Sequence, residues 1–423
     1  MSWEDGRRKI EWARDHMPLL ERLRSEFRRD RPFAERRIAM SIHLEAKTAC
    51  LAILLRDGGA EVGVTGSNPL STQDDVAAAL RVEKGISVHA RHGVTEAEYA
   101  QHLHEVLDSS PHLILDDGGD LVEMAHRDGL GDVLGGCEET TTGVARLRGR
   151  ARAGTLRIPM FAVNDARTKH LFDNRHGTGQ SVWDAILRST NLLVAGKDVV
   201  VAGYGWCGRG IALRARGLGA RVTITEVDPV KAIEAWMDGF AVASMREAIR
   251  TADVVVTATG CTDVVAGEVL ATAKSGVLLA NAGHFNVEVS VRDLVASAKA
   301  SRTARPGIVE YELADGRRLN LLAEGRLVNL ALGDGHPVEI MDISFALQAL
   351  TLRHLAEHAP LRPGLYAVPR SIDERIARMK LEALGVSIDK LSDAQCAYLG
   401  VPASEGTSTD DEPLPVQSLG SAG

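Results

Sequence analysis

Several things are missing from this chain of 423 residues, and each absence excludes a class of protein. Cysteine is scarce: five in all, at positions 50, 137, 207, 261 and 396. The number is odd, the spacing scattered, and no CxxC pair occurs, which fits a reduced cytosolic protein better than a disulfide framework or a zinc site. No apolar run approaches the roughly 18 residues that span a bilayer. Arg7, Arg8 and Lys9 are interspersed with Glu4, Asp5 and Glu11 and no apolar segment follows, so a secretory signal and a membrane location are not expected. Basic residues do not dominate: 49 Lys and Arg stand against 57 Asp and Glu, a net charge of −8 without a basic stripe, which speaks against a nucleic-acid partner. There is no internal repeat. With 45% hydrophobic residues, two or three domains with proper cores are possible.

What is present is an alternation of short apolar runs and helical segments. Ile10, Ala13, Met17, Leu20, Leu23 and Phe27 recur at helical spacing and predict a surface helix with one buried stripe. From about 36 to 135, RRIAMSIHL, AEVGVTG and HLILDD predict strands, and KTACLAILLRDGGA, TQDDVAAALRVEKG and DLVEMAHRDG predict helices. That rhythm argues for a parallel sheet with helices on its faces. A second α/β rhythm starts near Lys197: KDVVVAGYG, RVTITEVDP, DVVVTATG, GVLLANAG and RLVNL as strands, RGIALRARGLGA as a helix. MDISFALQALTLRHLAEH predicts one long helix, and the Ser-, Gly-, Pro- and acid-rich tail from about 403 predicts disorder.

Gly203, Gly205 and Gly208 have G-x-G-x-x-G spacing between a Val-rich strand and a helix. The first permits a tight turn, the second lets backbone approach a pyrophosphate, the third lets helix pack on strand. Glu226 ends the next strand, where a carboxylate accepts from ribose hydroxyls and repels a 2′-phosphate, so the expected cofactor is NAD rather than NADP. Ahead of this turn lie three polar clusters. ILDDGGD places Asp116, Asp117 and Asp120 at the carboxyl end of a strand, the edge where open α/β sheets bind ligands; a solvated Asp-Gly turn or a Mg²⁺ site are the other readings. EETTTGV holds Glu138 and Glu139 before Thr140, Thr141 and Thr142, which a threonine-capped helix start also explains. VNDARTKHLFDN has Lys169 and Asp173 four apart, sharing one face if helical, flanked by Asn164 and Asn174; an ordinary surface ion pair is the alternative.

Together with SIHLEAKTA, NPLSTQDD, GHFNVE, LLAEGRLVNL and GHP, these motifs in this order resemble the S-adenosylhomocysteine hydrolase family from about residue 10 to residue 400. The resemblance implies two doubly wound, Rossmann-like α/β domains. The substrate domain is discontinuous, 1–179 resuming at 337–402 with an oligomerisation region, and an NAD domain is inserted at 180–336, with 403–423 as the tail. It implies an enzyme that oxidises a nucleoside 3′-hydroxyl transiently, abstracts the C4′ proton and eliminates the 5′ substituent. In this scheme Lys169 and Asp173 serve the 3′-oxygen and C4′, Asp117 and His43 transfer protons at C5′ with help from His284, and Glu139 holds ribose hydroxyls. Thr140, Thr141, Thr142, Asn174, Asn281 and Asn329 touch the cofactor, Asn164 belongs with the substrate residues, and His336 lines the substrate entrance. A homo-oligomer, dimer or tetramer, follows from the same resemblance.

The sequence departs from the family at the base-binding positions. Glu45 and Lys47 stand where a Thr and then a Glu or Gln meet the adenine edge, and Asp334 stands where a methionine packs on the base. Thr178 replaces a common cysteine, and the Lys- and Tyr-containing tail is absent. An acceptor has become a cation and an apolar wall an acid, at a cost of several kcal/mol, roughly, if those charges are buried unmatched. An oxopurine, with N1–H toward Glu45 and O6 toward Lys47, is one explanation; a changed sugar or leaving group, as in a nucleoside dehydratase or epimerase, is another; Glu45 pairing with Lys47 while adenine still binds is the third. A non-catalytic NAD-binding homologue is the reading from outside enzymes.

Overall fold

The computed structural model describes residues 2–400; the expected disordered tail lies outside the described residues. The chain divides into two compact units, the first built from residues 1–169 together with the return segment from 341, the second from 170–340.

The first unit opens with β1 (Arg37–Ser41), β2 (Glu61–Thr65), β3 (Ile86–Val88), β4 (Leu113–Asp116), β5 (Gly135–Glu138) and β6 (Pro159–Ala162). The second contains β7 (Asp198–Ala202), β8 (Arg221–Thr225), β9 (Ala241–Val242), β10 (Val254–Thr257), β11 (Leu278–Asn281), β12 (Ala298–Arg305), β13 (Ile308–Leu313) and β14 (Arg318–Leu322). After it, β15 (Gly364–Ala367) returns to the first unit. The first sheet runs β15-β6-β5-β4-β1-β2-β3 and is parallel throughout. The second runs β12-β13-β14-β11-β10-β7-β8-β9, parallel from β14 to β9, with β12 and β13 added antiparallel. The chain is thus an α/β protein with two Rossmann-like sheets.

Continuous apolar runs form these strands because both faces are covered. In the second unit the period of two sends Val199, Val201, Val254 and Val256 into one core and Val200 and Val255 into another. In the first, Ile114, Met160 and Leu365 from three strands pack with Leu121, Val144 and Leu147 from helices. Both sheets have a point where strand order reverses: β4 beside β1 in the first, β10 beside β7 in the second. The carboxyl ends of those strands border a crevice.

Three elements differ from their sequence expectations. The N-terminal stripe is buried as predicted, but on two helices, Trp3–Asp15 and Pro18–Asp30. Pro18 cannot continue a helix, since it lacks the N–H, yet suits the first position of the next. The orphan N–H groups of Leu19 and Leu20 are taken by buried Asp342, at 3.1 and 2.9 Å. RLVNL is not a strand: Val328–Ala331 forms a helical turn. The helix in TQDDVAAALRVEKG stops at Leu80. The long helix is present as Val338–His358.

Candidate functional site

The polar residues of the first unit stand where its strands end. Along the sheet edge, Asn164 follows β6, Glu139 follows β5, Asp117 follows β4, His43 follows β1 and Ser67 follows β2. His43 and Asp117 therefore flank the strand-order reversal. His43 Nε2 lies 3.0 Å from Asp117 Oδ2, and Ser67 Oγ is 2.7 Å from His43 Nδ1 and 3.2 Å from Asp117 Oδ2. A serine thus fixes the ring between two hydrogen-bonding neighbours, and Asp117 is held in proton-transfer contact with an imidazole. Ser67 was missed from sequence: a loop serine carries no signal until the sheet order places it beside His43.

Glu139 and Lys169 form the second cluster. Lys169 Nζ is 3.3 Å from Glu139 Oε1, both side chains nearly buried, at 5% and 7% exposure. Gln348 Nε2 donates to Glu139 Oε2. Gln348 was also missed, although a fully buried glutamine within the apolar run ISFALQALTL is a legible anomaly. Thr140 caps the helix Thr141–Arg152 by accepting from Gly143 N–H at 3.1 Å, Thr141 Oγ1 donates to Asn164 Oδ1 at 3.2 Å, and Thr142 lies in the first helical turn. After Asn164 the backbone forms one α turn, Arg167–Lys169, then widens to π geometry over His170–Gly177. The simple four-residue helical face expected for Lys169 and Asp173 is therefore not the geometry found. π segments often mark functional sites.

The three acids of ILDDGGD do not converge on one point. Asp116 accepts from Asp117 and Val122 N–H at 3.0 and 2.8 Å, Asp117 meets His43, and Asp120 pairs with Arg146 at 2.6 Å and accepts from Tyr99 Oη at 3.2 Å. Their engagement in separate contacts argues against a shared Mg²⁺ there.

Glu45 caps the helix Ala46–Asp57, its Oε2 accepting from Lys47 N–H at 2.9 Å and lying 2.9 Å from Lys47 Nζ. Both side chains are 7% exposed, so the pair is mutually neutralised in a buried setting. Asp334, in the second unit, is different: its side chain is 75% exposed and meets Arg188 Nη1 at 3.4 Å. The desolvation cost expected for a buried acid there does not arise.

The second unit carries the dinucleotide turn after β7. A Cβ on Gly208 would lie 1.9 Å from the Gly203 carbonyl oxygen, and one on Gly203, at φ +93°, 2.7 Å from that of Ala258. At Gly205 nothing lies within 4 Å, leaving open backbone at the start of the helix Trp206–Gly217. Two glycines are thus demanded by packing and the third leaves room for a phosphate, which fits NAD. Glu226 follows β8, accepting from Tyr204, Val227 and Asp228 N–H at 2.7, 2.7 and 3.1 Å. Asn281 accepts from Thr257 Oγ1 at 3.0 Å and donates to the carbonyls of Gly283, Phe285 and Gly325, tying loops together. Asn329 donates to Ser181 Oγ at 3.0 Å, while its buried Oδ1 has no hydrogen-bond partner among the described residues. Asp173 Oδ1 is 2.5 Å from His336 Nδ1, and His336 Nε2 is 3.2 Å from Thr178 Oγ1. Asn174 is buried in the π segment, and half-buried His284 packs edge-on against Phe285.

Comparison with known proteins agrees with this arrangement. The model of S-adenosyl-L-homocysteine hydrolase matches residues 1–131, and that of its NAD binding domain matches 174–335. The adenosylhomocysteinase of Thermotoga maritima is 58% identical over 398 residues, covering 93% of this chain and 98% of that protein. The S-inosyl-L-homocysteine hydrolase of Methanosarcina acetivorans is 53% identical over 399 residues, covering 94% and 97%. The adenosylhomocysteinase of Pyrococcus abyssi is 53% identical over 399 residues, covering 93% and 94%. With both sheets, the glycine turn and 58% identity over nearly the full length in agreement, the chain belongs to the S-adenosyl-L-homocysteine hydrolase family and is an NAD-dependent enzyme.

Proposed function

We propose that this enzyme cleaves the 5′-thioether of a purine nucleoside joined to homocysteine, by default S-adenosylhomocysteine, giving the nucleoside and homocysteine with addition of water. The observation that carries the reading is the buried Lys169–Glu139 pair on the same sheet edge as the His43–Asp117 pair. Bound NAD supplies a reversible hydride acceptor for the 3′-hydroxyl. The chain's residues manage the protons. Glu139 holds the ribose hydroxyls and keeps Lys169 in place. Lys169 and Asp173 between them accept the 3′-hydroxyl proton and then the C4′ proton, which is acidic once it lies α to a carbonyl, and return both when the ketone is reduced. Asp117 and His43 deliver a proton to the departing sulfur at C5′, then take one from the water that adds back. Thiol release from S-adenosylhomocysteine by the NAD-loaded protein, abolished in Lys169→Met, tests this; no thiol from any 5′-thioether nucleoside overturns it.

A second reading concerns the base. Lys47 is nearly buried and offers only donors, so it matches an oxygen at purine position 6 better than the amino group of adenine. Glu45 Oε1, which receives a long 3.4 Å bond from Thr48 Oγ1, is on this reading the acceptor for an N1–H. Relatives that are S-inosyl-L-homocysteine hydrolases, 52–53% identical, lend it support. The kcat/KM ratio for S-inosyl- over S-adenosylhomocysteine decides: a value well above one supports the oxopurine, and a value below one returns the site to adenine.

Assembly is proposed as a homo-oligomer. Val230, Ile233, Trp236 and Met237 are 54–73% exposed on the helix Pro229–Met237, a large apolar stripe that a second copy would cover. A monomer in sedimentation at micromolar concentration would refute this. A reduced, cytoplasmic setting is supported by five free cysteines, and no helix among the described residues is long and apolar enough to cross a membrane.

A further inference from the structure

Two carboxyl groups of the first unit have no part in the chemistry above, yet they are more deeply buried than the residues that do. Asp116 and Glu138 are the last residues of β4 and β5, register partners on adjacent strands, and both are 0% exposed. Burying two acids side by side is unfavourable, and the strand ends would be satisfied more cheaply by neutral side chains. What the two acids hold explains their presence. Asp116 uses both oxygens, Oδ1 for Asp117 N–H at 3.0 Å and Oδ2 for Val122 N–H at 2.8 Å. Its carbonyl accepts from Glu139 N–H at 2.9 Å. Glu138 uses one oxygen only: Oε1 accepts from Gly118 N–H, Thr140 N–H and Thr140 Oγ1, each at 2.9 Å. Oε2 is buried and has no hydrogen-bond partner among the described residues.

We propose that Asp116 and Glu138 are positioning residues: the backbone N–H groups they accept fix the turn that presents Asp117 and the turn that presents Glu139. The inference rests on the hydrolase reading above. Its geometry separates the two acids. In Asp116→Asn one of two accepting oxygens becomes an NH₂ facing an N–H, so the turn must shift. In Glu138→Gln the amide oxygen keeps all three bonds and the NH₂ takes the place of the oxygen without a partner, so the turn stays. Glu138→Ala loses all three.

The test is kcat and KM of the full-length, NAD-loaded protein on the thioether that the wild type hydrolyses best, beside the melting temperature. Asp116→Asn and Glu138→Ala are expected to lose about 10- to 100-fold in kcat, the effect of sub-ångström to ångström misplacement, with KM within about twofold. Glu138→Gln is expected to keep kcat within about threefold, the conservative change restoring what alanine removes. Wild-type kcat in a folded Asp116→Asn, a loss confined to KM, or Glu138→Gln as impaired as Glu138→Ala each overturns the inference while leaving the hydrolase reading intact. If Asp116→Asn does not fold, the two Glu138 variants decide. A wild type inactive on every 5′-thioether nucleoside removes the hydrolase reading, and the inference with it.

Discussion

At the scale of single residues, two carboxyl groups beside the candidate site, Asp116 and Glu138, lie fully buried at strand ends. Burial pushes Asp116 up to about 7, with the neighbouring charges of Asp120 and Asp117 acting in the same direction and the N–H bonds from Val122 and Asp117 opposing. Glu138 is raised too, by burial first and by Asp116 second. The consequence for stability has a definite sign. Between about pH 4 and pH 7 the folded chain holds a proton on Asp116 that the unfolded chain has released, so this group's contribution falls as pH rises and levels off above. Other carboxylates, such as Asp57 and Glu123, are lowered in the folded state and oppose this trend, but they are common to wild type and variant. The melting-temperature advantage of wild type over Asp116→Asn should therefore shrink from pH 4.5 to pH 7; an advantage that grows would contradict it. At Lys47 the prediction concerns specificity. Lys47→Glu places acceptors where donors stood, and should shift kcat/KM at least about tenfold from the inosyl toward the adenosyl thioether if position 6 faces this side chain. Equal loss on both substrates would place Lys47 in a structural pair only.

At the scale of elements, the glycine turn and the N-terminal helices make separate predictions. Gly205→Ala adds a methyl where nothing lies within 4 Å, so folding is spared, while the backbone loses its close approach to a phosphate. The expected result is a melting temperature near wild type without added cofactor and NAD affinity down at least about tenfold. Gly208→Ala drives a methyl into the Gly203 carbonyl and should destabilise the second unit by about 1–3 kcal/mol or more. Calorimetry with and without NAD distinguishes the two. In the first unit, Asp342 takes the N–H groups of Leu19 and Leu20, a cap supplied from more than 300 residues away in the chain. Asp342→Ala should cost about 1–3 kcal/mol, read as a lower urea midpoint of the first unit. The Gly-x-Gly-x-x-Gly turn was legible because strand, turn and helix are contiguous and each glycine has a local reason. The split at Pro18 was legible in principle, since proline cannot sit inside a helix, but six apolar residues in phase outweighed one breaker. RLVNL failed because a five-residue apolar run does not distinguish a strand from a helical turn.

At the scale of the molecule, the first unit is completed only by its return segment. Residues beyond 340 supply β15 at the sheet edge beside β6, the Asp342 cap and Gln348 on Glu139. A chain ended at residue 340 should therefore lose the cooperative melting of the first unit, while residues 170–340 expressed alone should melt cooperatively and be stabilised by NAD. Retention of a full two-unit profile in the shortened chain would refute this dependence.

The sequence by itself determined the α/β class and the cofactor turn, whose signals lie within contiguous residues, and its resemblance to the family singled out His43, Asp117, Glu139, Lys169 and Asp173 as candidates. Tertiary structure alone decided the partners. Ser67 meets His43 because β2 lies beside β1, and Gln348 meets Glu139 because the return helix packs back onto the first unit. It also put Asp334 in solvent beside Arg188. The physical reason is that a side chain's chemistry is fixed by its own atoms, whereas its burial and its hydrogen-bond partners are fixed by strands and helices that meet only when the whole chain has folded.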